Sequence, residues 1–413
     1  MPPKTAIIIG GGIAGCSTAY ALAQRGIGVT LLERHADFAS EASGNALAML
    51  YPRLSGDDTA SQFALAGYLH SLQLLSTLNL DAADFNACGL LQLGFNTREL
   101  ARIKKVAAQN HPANIVKYVT ACEASRLSGI QVAHDALYFP SAAWIKPKNI
   151  CMRLLQHKNI SKITLSNAIN ILKNNDLFEI NCENNLIVKA DIAIIANAND
   201  AKNFSQSNHI TTQVVHGQVS QLTATAASHE LQTIVCSNGY LSPAVNHQHS
   251  LGATFSIEPS HLNEGNLNQH HNDLALSGND HQKNLEILKL ISEPLYQNLQ
   301  NNIAGGRVAL RCTAPDYFPL VGELLDSHAL KTAPPRPTAS TTSLPWLNGL
   351  YINVAHGSKG FTSAPLCAEL LACLISNATL PIPATLASLL NPNRFILREL
   401  GLKRLAKTMA VSS

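Results

Sequence analysis

The feature that most constrains this chain is the glycine-rich stretch GGGIAG at residues 10–15. Gly10, Gly12 and Gly15 stand in the G-x-G-x-x-G spacing, directly after the β-branched run 5–9 and directly before a helical pattern of small and apolar residues. A strand-to-helix turn of this kind lets backbone N–H groups and the positive end of a helix dipole approach a pyrophosphate. The stretch therefore predicts the dinucleotide-binding turn of a Rossmann-type α/β domain.

An acidic residue follows at the place that this mechanism requires. The second strand, GVTLLE, ends in Glu33, which is placed to bind the ribose hydroxyls of the cofactor. A carboxylate there repels a 2′-phosphate, which argues against NADP. The alternative interpretation, a tight turn in an ordinary α/β domain, stays open because fold alone does not imply function.

The sequence downstream of Glu33 favours FAD over NAD. It contains a segment too irregular for the next βαβ repeat of an NAD domain, made of Ser43, Gly44, Asn45 and Ala46. The apolar stretch ADIAIIANAND at 190–200 predicts a buried strand that ends in small residues near Ala196, where an open α/β sheet meets its ligand. Plain core is an almost equal interpretation of that strand taken alone.

A second glycine-rich loop, HGSKGFTSAP at 356–365, lies near the other end of the chain. It lacks the G-K-[ST] ending of a P-loop. We expect Ser363 to cap the following helix and Pro365 to fit its first turn. The N–H groups of the loop would then face the N1 and C2 carbonyl edge of a flavin ring, where negative charge collects on reduction. The predicted contacts in this loop are Gly357, Ser358, Lys359 and Gly360.

Two long interruptions with alternating strand patterns, such as TTQVVHGQVSQLTA and GRVALRCTAP, separate the Rossmann-type pieces. We therefore predict an α/β fold with a Rossmann-type FAD-binding domain and a mostly antiparallel α+β substrate domain. The predicted FAD-binding domain is discontinuous and comprises 1–88, 148–210 and 346–413. The predicted substrate-binding domain comprises 89–147 and 211–345.

Composition limits the partners. Of the 413 residues 46% are hydrophobic and 14% charged, and the net charge of +3 permits an anionic partner such as RNA without being a nucleic-acid signature. Nine cysteines in no CxxC pair suggest neither a disulfide framework nor a zinc site and fit the cytoplasm. No apolar run is long enough for a membrane span. Six histidines in polar sequence lack the partners of a metal motif: His247, His249, His261, His270, His271 and His281.

Several stretches resemble one family in order and wording: AIIIGGGIAGCSTAYALAQRGIGVTLLER, SGNALAMLYPRLS, HGQVSQL, GYLSPAV, GATF, GRVALRCTAPDYFPLVG, LYINVAHGSKGFTSAPLCAELL and NRFILR. They are similar to the C-terminal FAD oxidoreductase domain of the bifunctional tRNA 5-methylaminomethyl-2-thiouridine biosynthesis protein, within the glycine oxidase and D-amino-acid oxidase superfamily. The resemblance implies oxidative removal of the carboxymethyl group from 5-carboxymethylaminomethyl(-2-thio)uridine at the tRNA wobble position, giving the aminomethyl form and glyoxylate. Because the sequence begins just before the flavin strand, we expect no methyltransferase domain and a separate methyltransferase as a partner.

The same resemblance assigns roles in the substrate pocket. Arg311, in RCTAPD, would anchor the substrate carboxylate with two parallel hydrogen bonds. A structural pair of Arg311 with Asp316 is the alternative. Tyr240 would close the pocket over the amine, or be a buried tyrosine with a satisfied hydroxyl. Cys312 lies beside the anchor, so we expect FAD to be bound non-covalently.

Other positions leave alternatives open. Arg307 could contact either substrate or RNA phosphate, and His216 stands where family members usually carry arginine. Cationic residues that could bind RNA phosphates, or simply form solvated helix faces, are Arg102, Lys104, Lys105, Arg394, Arg398, Lys403, Arg404 and Lys407. The competing functions are an oxidase of free glycine, sarcosine or another small amino acid, and a non-catalytic flavoprotein that binds RNA.

Overall fold

The computed structural model describes residues 3–257 and 274–409. The strands are β1 Thr5–Ile9, β2 Gly28–Leu32, β3 Ala48–Leu50, β4 Phe85–Asn86, β5 Leu90–Leu93, β6 Lys117–Val119, β7 Ala136–Phe139, β8 Ala143–Ile145, β9 Ile160–Ile163, β10 Ala168–Asn174, β11 Leu177–Cys182, β12 Ile187–Ala190, β13 Ile192–Ile195, β14 Gln213–Thr223, β15 Ile234–Cys236, β16 Tyr240–Leu241, β17 Gln248–Gly252, β18 Ser256–Ile257, β19 Ile303–Thr313, β20 Leu320–Leu325 and β21 Trp346–Val354. The α-helices are α1 Ile13–Gln24, α2 Thr59–Thr77, α3 Thr97–Ala107, α4 Ala121–Ser128, α5 Pro147–Leu154, α6 Gly278–Ile291, α7 Glu293–Leu299, α8 Ser327–Thr332, α9 Gly360–Ile375, α10 Ala384–Ala387 and α11 Arg394–Glu399.

A six-stranded sheet in the order β20-β21-β13-β1-β2-β9 carries the first glycine turn. Its strands are parallel except β20, which pairs antiparallel with β21. The runs TAIII and IAII are continuous apolar sequences because both faces of this sheet are covered. Helices α1 and α9 pack on one face, and the three-stranded sheet β10-β11-β12 contributes to the apolar core on the other.

The second large sheet has nine strands and is almost entirely antiparallel. Its longest strands are β14 and β19, which have 11 residues each and pair antiparallel to each other. The parallel contact of β15 with β5 is its exception. A small third sheet has the order β3-β8-β4. Its three short strands come from segments that lie, in sequence, between strands of the two larger sheets.

The predicted fold class is confirmed: a Rossmann-type parallel sheet is joined to a mostly antiparallel second sheet. The structure differs from the predicted domain ranges at β20, which belongs to the parallel sheet although 320–325 fell within the predicted substrate domain. An edge position explains this placement, since an antiparallel edge strand can be added to a parallel sheet without a crossover helix. With that change the domain ranges remain a proposal.

Across 3–257 and 274–409, none of the helices combines the length and the apolar character that crossing a bilayer requires.

Candidate active site

The predicted glycine turn joins β1 to α1, and two of its glycines have no room for a side chain. Gly10 has a φ of +107°, and a Cβ there would lie 2.7 Å from the carbonyl oxygen of Ala196. A Cβ on Gly15 would overlap the carbonyl oxygen of Gly10. Gly12 stands at the N-cap of α1 and offers no capping side chain. The first turn of α1 can therefore approach an anion through its backbone.

Glu33 and Ser43 both bond to this turn. The buried carboxylate of Glu33 accepts hydrogen bonds from the amides of Gly11, at 2.9 Å, and His35, at 2.8 Å. Burial raises the pKa of Glu33, and the two amide donors act in the opposite direction. The Ser43 hydroxyl accepts a hydrogen bond from the amide of Ile13 at 3.0 Å. Backbone groups of the turn thus hold the acid and the hydroxyl in place.

Arg307 holds the small-residue segment from the other domain. Its guanidinium donates to Asn45 Oδ1 at 2.9 Å, to the carbonyl of Ser40 at 2.8 Å and to the carbonyl of Glu41. A Cβ on Gly44 would lie 3.0 Å from this guanidinium, so a side chain there would crowd it. These hydrogen bonds hold the loop in place. They serve neither of the two roles that the sequence left open for Arg307, which were contact with the substrate and contact with RNA phosphate.

Two cavities meet at the glycine turn. The smaller, about 90 Å³, is lined by Glu33, and the larger encloses about 780 Å³. Gly12, Ser43 and Ala196 line both cavities. An elongated ligand can therefore run from Glu33, past the turn, into the larger space.

The second glycine loop lines the larger cavity, but its helix begins earlier than predicted. Gly357–Lys359 form a short 3-10 turn, and α9 starts at Gly360. The expectations that Ser363 caps this helix and that Pro365 lies in its first turn are wrong. Twelve of the 16 residues of α9 are buried, and this apolar burial outweighs the hydrogen bond that an internal proline removes.

A chain of buried hydrogen bonds fixes this loop. The side-chain nitrogen of Asn353, Nδ2, donates to the hydroxyl of Thr18 at 2.9 Å. The side-chain oxygen of Asn353, Oδ1, accepts from His356 Nε2 at 3.0 Å. The Ser363 hydroxyl lies within hydrogen-bond distance of both His356 Nδ1, at 2.9 Å, and the carbonyl of Lys359, at 3.1 Å. Burial lowers the pKa of His356 to about 3, so the ring is neutral at physiological pH. The loop is thereby tied to both α1 and α9.

Lys359 is the least satisfied polar group at the cavity. Its ammonium nitrogen is buried, finds no hydrogen-bond acceptor among the residues that the structure describes, and lies 4.6 Å from the centre of the Tyr51 ring. Burial lowers the pKa of Lys359 to about 7, and the charge of Arg53 acts in the same direction. The sequence did not single out Tyr51 and Arg53, although both lie in the stretch SGNALAMLYPRLS.

Arg311 and Tyr240 come together at the same cavity. A Cβ on Gly217 would overlap the guanidinium of Arg311, so the glycine makes room for it. Arg311 Nη1 donates to the carbonyl of Thr254 at 3.2 Å. Burial lowers the pKa of Arg311 and raises that of Tyr240 to about 12, while the charge of Arg311 opposes the rise at Tyr240.

The alternative pairing of Arg311 with Asp316 is wrong. The carboxylate of Asp316 accepts from Arg394 at 2.7 and 2.9 Å. Arg394 is fully buried, and a buried guanidinium requires a charge partner and acceptors for its N–H groups. Asp316 is therefore committed elsewhere, and in 3–257 and 274–409 no carboxylate forms an ion pair with Arg311.

Two cations predicted as RNA contacts are unavailable for that role. Arg394 is enclosed with Asp316, and Arg102 is 9% exposed and donates to Glu99 at 2.8 Å. Sequence spacing places both on helix faces but does not reveal which face is covered. The predicted continuous cationic helix is also broken into α11 and a short 3-10 turn at Leu405–Lys407.

The remaining predicted positions have structural partners or lie outside the described residues. His216 Nδ1 lies 3.9 Å from a carboxylate oxygen of Asp280. The ring nitrogens of His249 bond to Ser242 and Ser228, both at 2.8 Å. His261, His270 and His271 lie outside the described ranges. Within those ranges no group of three or more His, Cys, Asp or Glu side chains could hold a metal ion.

The fold and the two cavities define a protein with a Rossmann-type dinucleotide-binding sheet and a second, mostly antiparallel sheet. The chain belongs to the FAD-dependent oxidoreductase family (DAO), whose model matches residues 5–374. Its cofactor is FAD. The cavities fit this cofactor, because the tight glycine turn lies between an acid-lined space and a larger one in which the buried Lys359 nitrogen has no hydrogen-bond acceptor from 3–257 or 274–409.

Two similar proteins support this assignment. The bifunctional tRNA 5-methylaminomethyl-2-thiouridine biosynthesis protein MnmC of Methylobacillus flagellatus is 41% identical over 407 residues, which is 98% of this chain and 61% of that protein. The protein of the same name from Stutzerimonas stutzeri is 38% identical, over 96% of this chain and 60% of that protein. The sequence resemblance is thus confirmed, and the chain spans about 60% of the length of these relatives.

Solved structures share the fold. Glycine oxidase from Geobacillus kaustophilus has a TM-score of 0.72 at 18% identity and covers 94% of this chain and 98% of its own. L-proline dehydrogenase from P. horikoshii has a TM-score of 0.72 at 20% identity and covers 96% and 99%. At such identities the likeness concerns the fold alone.

Proposed function

We propose that the protein oxidises the carboxymethylaminomethyl group of 5-carboxymethylaminomethyl(-2-thio)uridine at the tRNA wobble position. The names of the relatives support the RNA substrate, since they describe biosynthesis of a tRNA methylaminomethyl-thiouridine. The observation that carries the chemistry is Arg311: a half-buried guanidinium without a carboxylate partner in the described residues lines the cavity of an FAD-dependent oxidoreductase. Such a group is suited to the carboxylate of an N-substituted glycine.

The proposed reaction balances as an amine oxidation followed by hydrolysis. The methylene C–H and the amine N–H bonds break, and a C=N bond forms. FAD, when bound, would supply the oxidising power by accepting the two electrons together with the methylene hydrogen, and the amine proton passes to water. Water then adds to the C=N carbon and the C–N bond breaks, which leaves the aminomethyl uridine and glyoxylate.

Residues of the chain position this substrate. Arg311 would grip the carboxylate with two parallel hydrogen bonds and so orient the methylene group. Tyr240 would close the pocket over the amine. The charged lining residues of the larger cavity in the described chain are Arg53, Arg311, Lys359 and Glu99. Glu99 pairs with Arg53 at 2.9 Å, so Arg311 leaves the lining positive even where Lys359 is neutral. This excess of cations suits a substrate that carries a carboxylate and RNA phosphates.

Nucleoside mass spectrometry tests the proposal. tRNA that carries the carboxymethylaminomethyl group is incubated with the protein, and the expected result is its conversion to the aminomethyl nucleoside with release of glyoxylate. Anaerobic bleaching of the flavin by this tRNA, but not by glycine or sarcosine, is expected in parallel. Bleaching by glycine or sarcosine alone would identify an oxidase of free amino acids, and no bleaching by any of them would identify a non-catalytic flavoprotein.

Three further proposals accompany this function. FAD is bound non-covalently, since burial raises the pKa of Cys312 to about 12 and so keeps the nearest candidate thiol protonated. The protein acts in the cytoplasm, where tRNA is modified and where its nine free cysteines stay reduced. A methyltransferase acting on the aminomethyl product is a proposed partner, because the relatives are named for the methylated nucleoside.

A further inference from the structure

Two exposed aromatic side chains lie at the larger cavity. Twelve large hydrophobic side chains are exposed in the described parts of the chain, and two of them are aromatic: Phe255, at 51% exposure, and Tyr317, at 63%. Both line the larger cavity, and none of the ten exposed aliphatic side chains does. Within the described ranges, both of the exposed large aromatic side chains therefore lie at this cavity.

Both rings are connected to the predicted carboxylate anchor. Phe255 follows Thr254, whose carbonyl accepts the hydrogen bond from Arg311. Tyr317 comes four residues after β19, the strand that carries Arg311. Two segments far apart in sequence thus present one ring each at the space in which the substrate carboxylate would bind.

Hydrogen bonds anchor the chain on both sides of Tyr317. Its φ is +61°, a left-handed conformation that is unfavourable for a tyrosine and persists only where surrounding contacts impose it. Those contacts come from Arg394, which holds the carboxylate of Asp316 and donates to the carbonyl of Phe318 at 2.8 Å. The residues on both sides of Tyr317 are therefore anchored to a buried guanidinium, and its ring is directed outward at a conformational cost.

The chemistry of the cavity identifies what would cover these rings. A flat aromatic ring exposed beside an excess of cations suits an unstacked nucleobase of an anionic strand. The substrate uridine must enter the cavity to bring its carboxylate to Arg311, whereas the bases next to it remain outside. We propose that Phe255 and Tyr317 stack on the bases that flank the substrate uridine in the anticodon loop. This inference rests on the proposed function, and it adds the side chains that make an RNA-borne amine preferable to a free one.

The test compares a modified anticodon stem-loop with the free 5-carboxymethylaminomethyluridine nucleoside. For Phe255→Ala and Tyr317→Ala we expect the KM for the stem-loop to rise about tenfold to a hundredfold, equivalent to about 1.4 to 2.8 kcal/mol, as loss of one stacked base predicts. The KM for the stem-loop should rise more than the KM for the nucleoside, because the nucleoside has no neighbouring bases that could stack on the rings. Tyr317→Phe should behave as wild type, because the ring and not the hydroxyl is used.

Ile187→Ala is the matched control, since Ile187 is 54% exposed and does not line either cavity. The affinity for an unmodified stem-loop, measured by fluorescence anisotropy, should fall in step with the rise in KM. If wild type binds the stem-loop but does not oxidise its modified form, the proposed function fails while the binding data still decide the stacking. Unchanged KM and affinity in the double alanine variant, or an equal rise in KM for the free nucleoside, would overturn the inference.

Discussion

Replacement of Arg311 by alanine tests the substrate anchor most directly. Arg311 is half-buried, and the carbonyl of Thr254 at 3.2 Å is the hydrogen-bond acceptor of its guanidinium among the described residues. A substrate carboxylate would thus be its charge partner in a desolvated cavity, and loss of one member of such a pair costs about 2 to 5 kcal/mol. At about 1.4 kcal/mol per tenfold change, kcat/KM for modified tRNA should fall between about 30-fold and about 4,000-fold.

The assay is steady-state release of glyoxylate from modified tRNA, with the flavin content of each variant measured beforehand. Arg311→Lys keeps the charge but loses the two parallel hydrogen bonds, so its kcat/KM should lie between those of wild type and the alanine variant. Arg126→Ala removes an exposed arginine of α4 that lines neither cavity and should leave kcat/KM unchanged. A loss smaller than tenfold in a flavin-replete Arg311→Ala protein would refute the anchor.

Three other perturbations have defined outcomes. Gly15→Ala places a methyl group against a backbone carbonyl and should abolish FAD binding, read by flavin absorbance, whereas Gly278→Ala, with open space around its Cβ, should bind FAD normally. Burial lowers the pKa of Lys359 to about 7, so its positive charge is present below that pH and lost above it. Lys359→Met should therefore lower the two-electron flavin potential by about 30 mV at pH 6. The difference in potential from wild type should vanish by about pH 9, where the lysine is neutral. Arg394→Ala leaves Asp316 without its buried partner and should destabilise the fold by about 3 kcal/mol in denaturant unfolding.

Local signals predicted the parts of the site that depend on neighbours in sequence. The turn with Gly10 and Gly15 was predictable because glycine spacing, flanking periodicity and the acid at position 33 report on one continuous βαβ unit. The same kind of signal misplaced the start of α9. Ser363 and Pro365 have the composition of a helix N-terminus, yet burial of nearly the whole helix extends it toward Gly360.

Long-range partners were beyond the reach of sequence spacing. Arg307 and Asn45 are 262 positions apart, and Arg394 and Asp316 are 78 apart, so no periodicity links either pair. For the same reason the sequence could not distinguish Arg311 as a free anchor from Arg311 as a structural partner of Asp316. That choice depended on which guanidinium was buried beside the carboxylate.

The Rossmann unit, the acid beside it and the family resemblance could be predicted from adjacent residues, because local sterics and strand and helix periodicity depend on neighbours in sequence. Which charged side chains bond to other parts of the fold, and which remain available to a ligand, depended on the folded arrangement. Arg307 and Arg394 bond to Asn45 and Asp316 within the fold, whereas Arg311 and Lys359 line the cavity. A buried charged side chain needs a charge partner or hydrogen-bond partners, and these come from segments that meet only on folding.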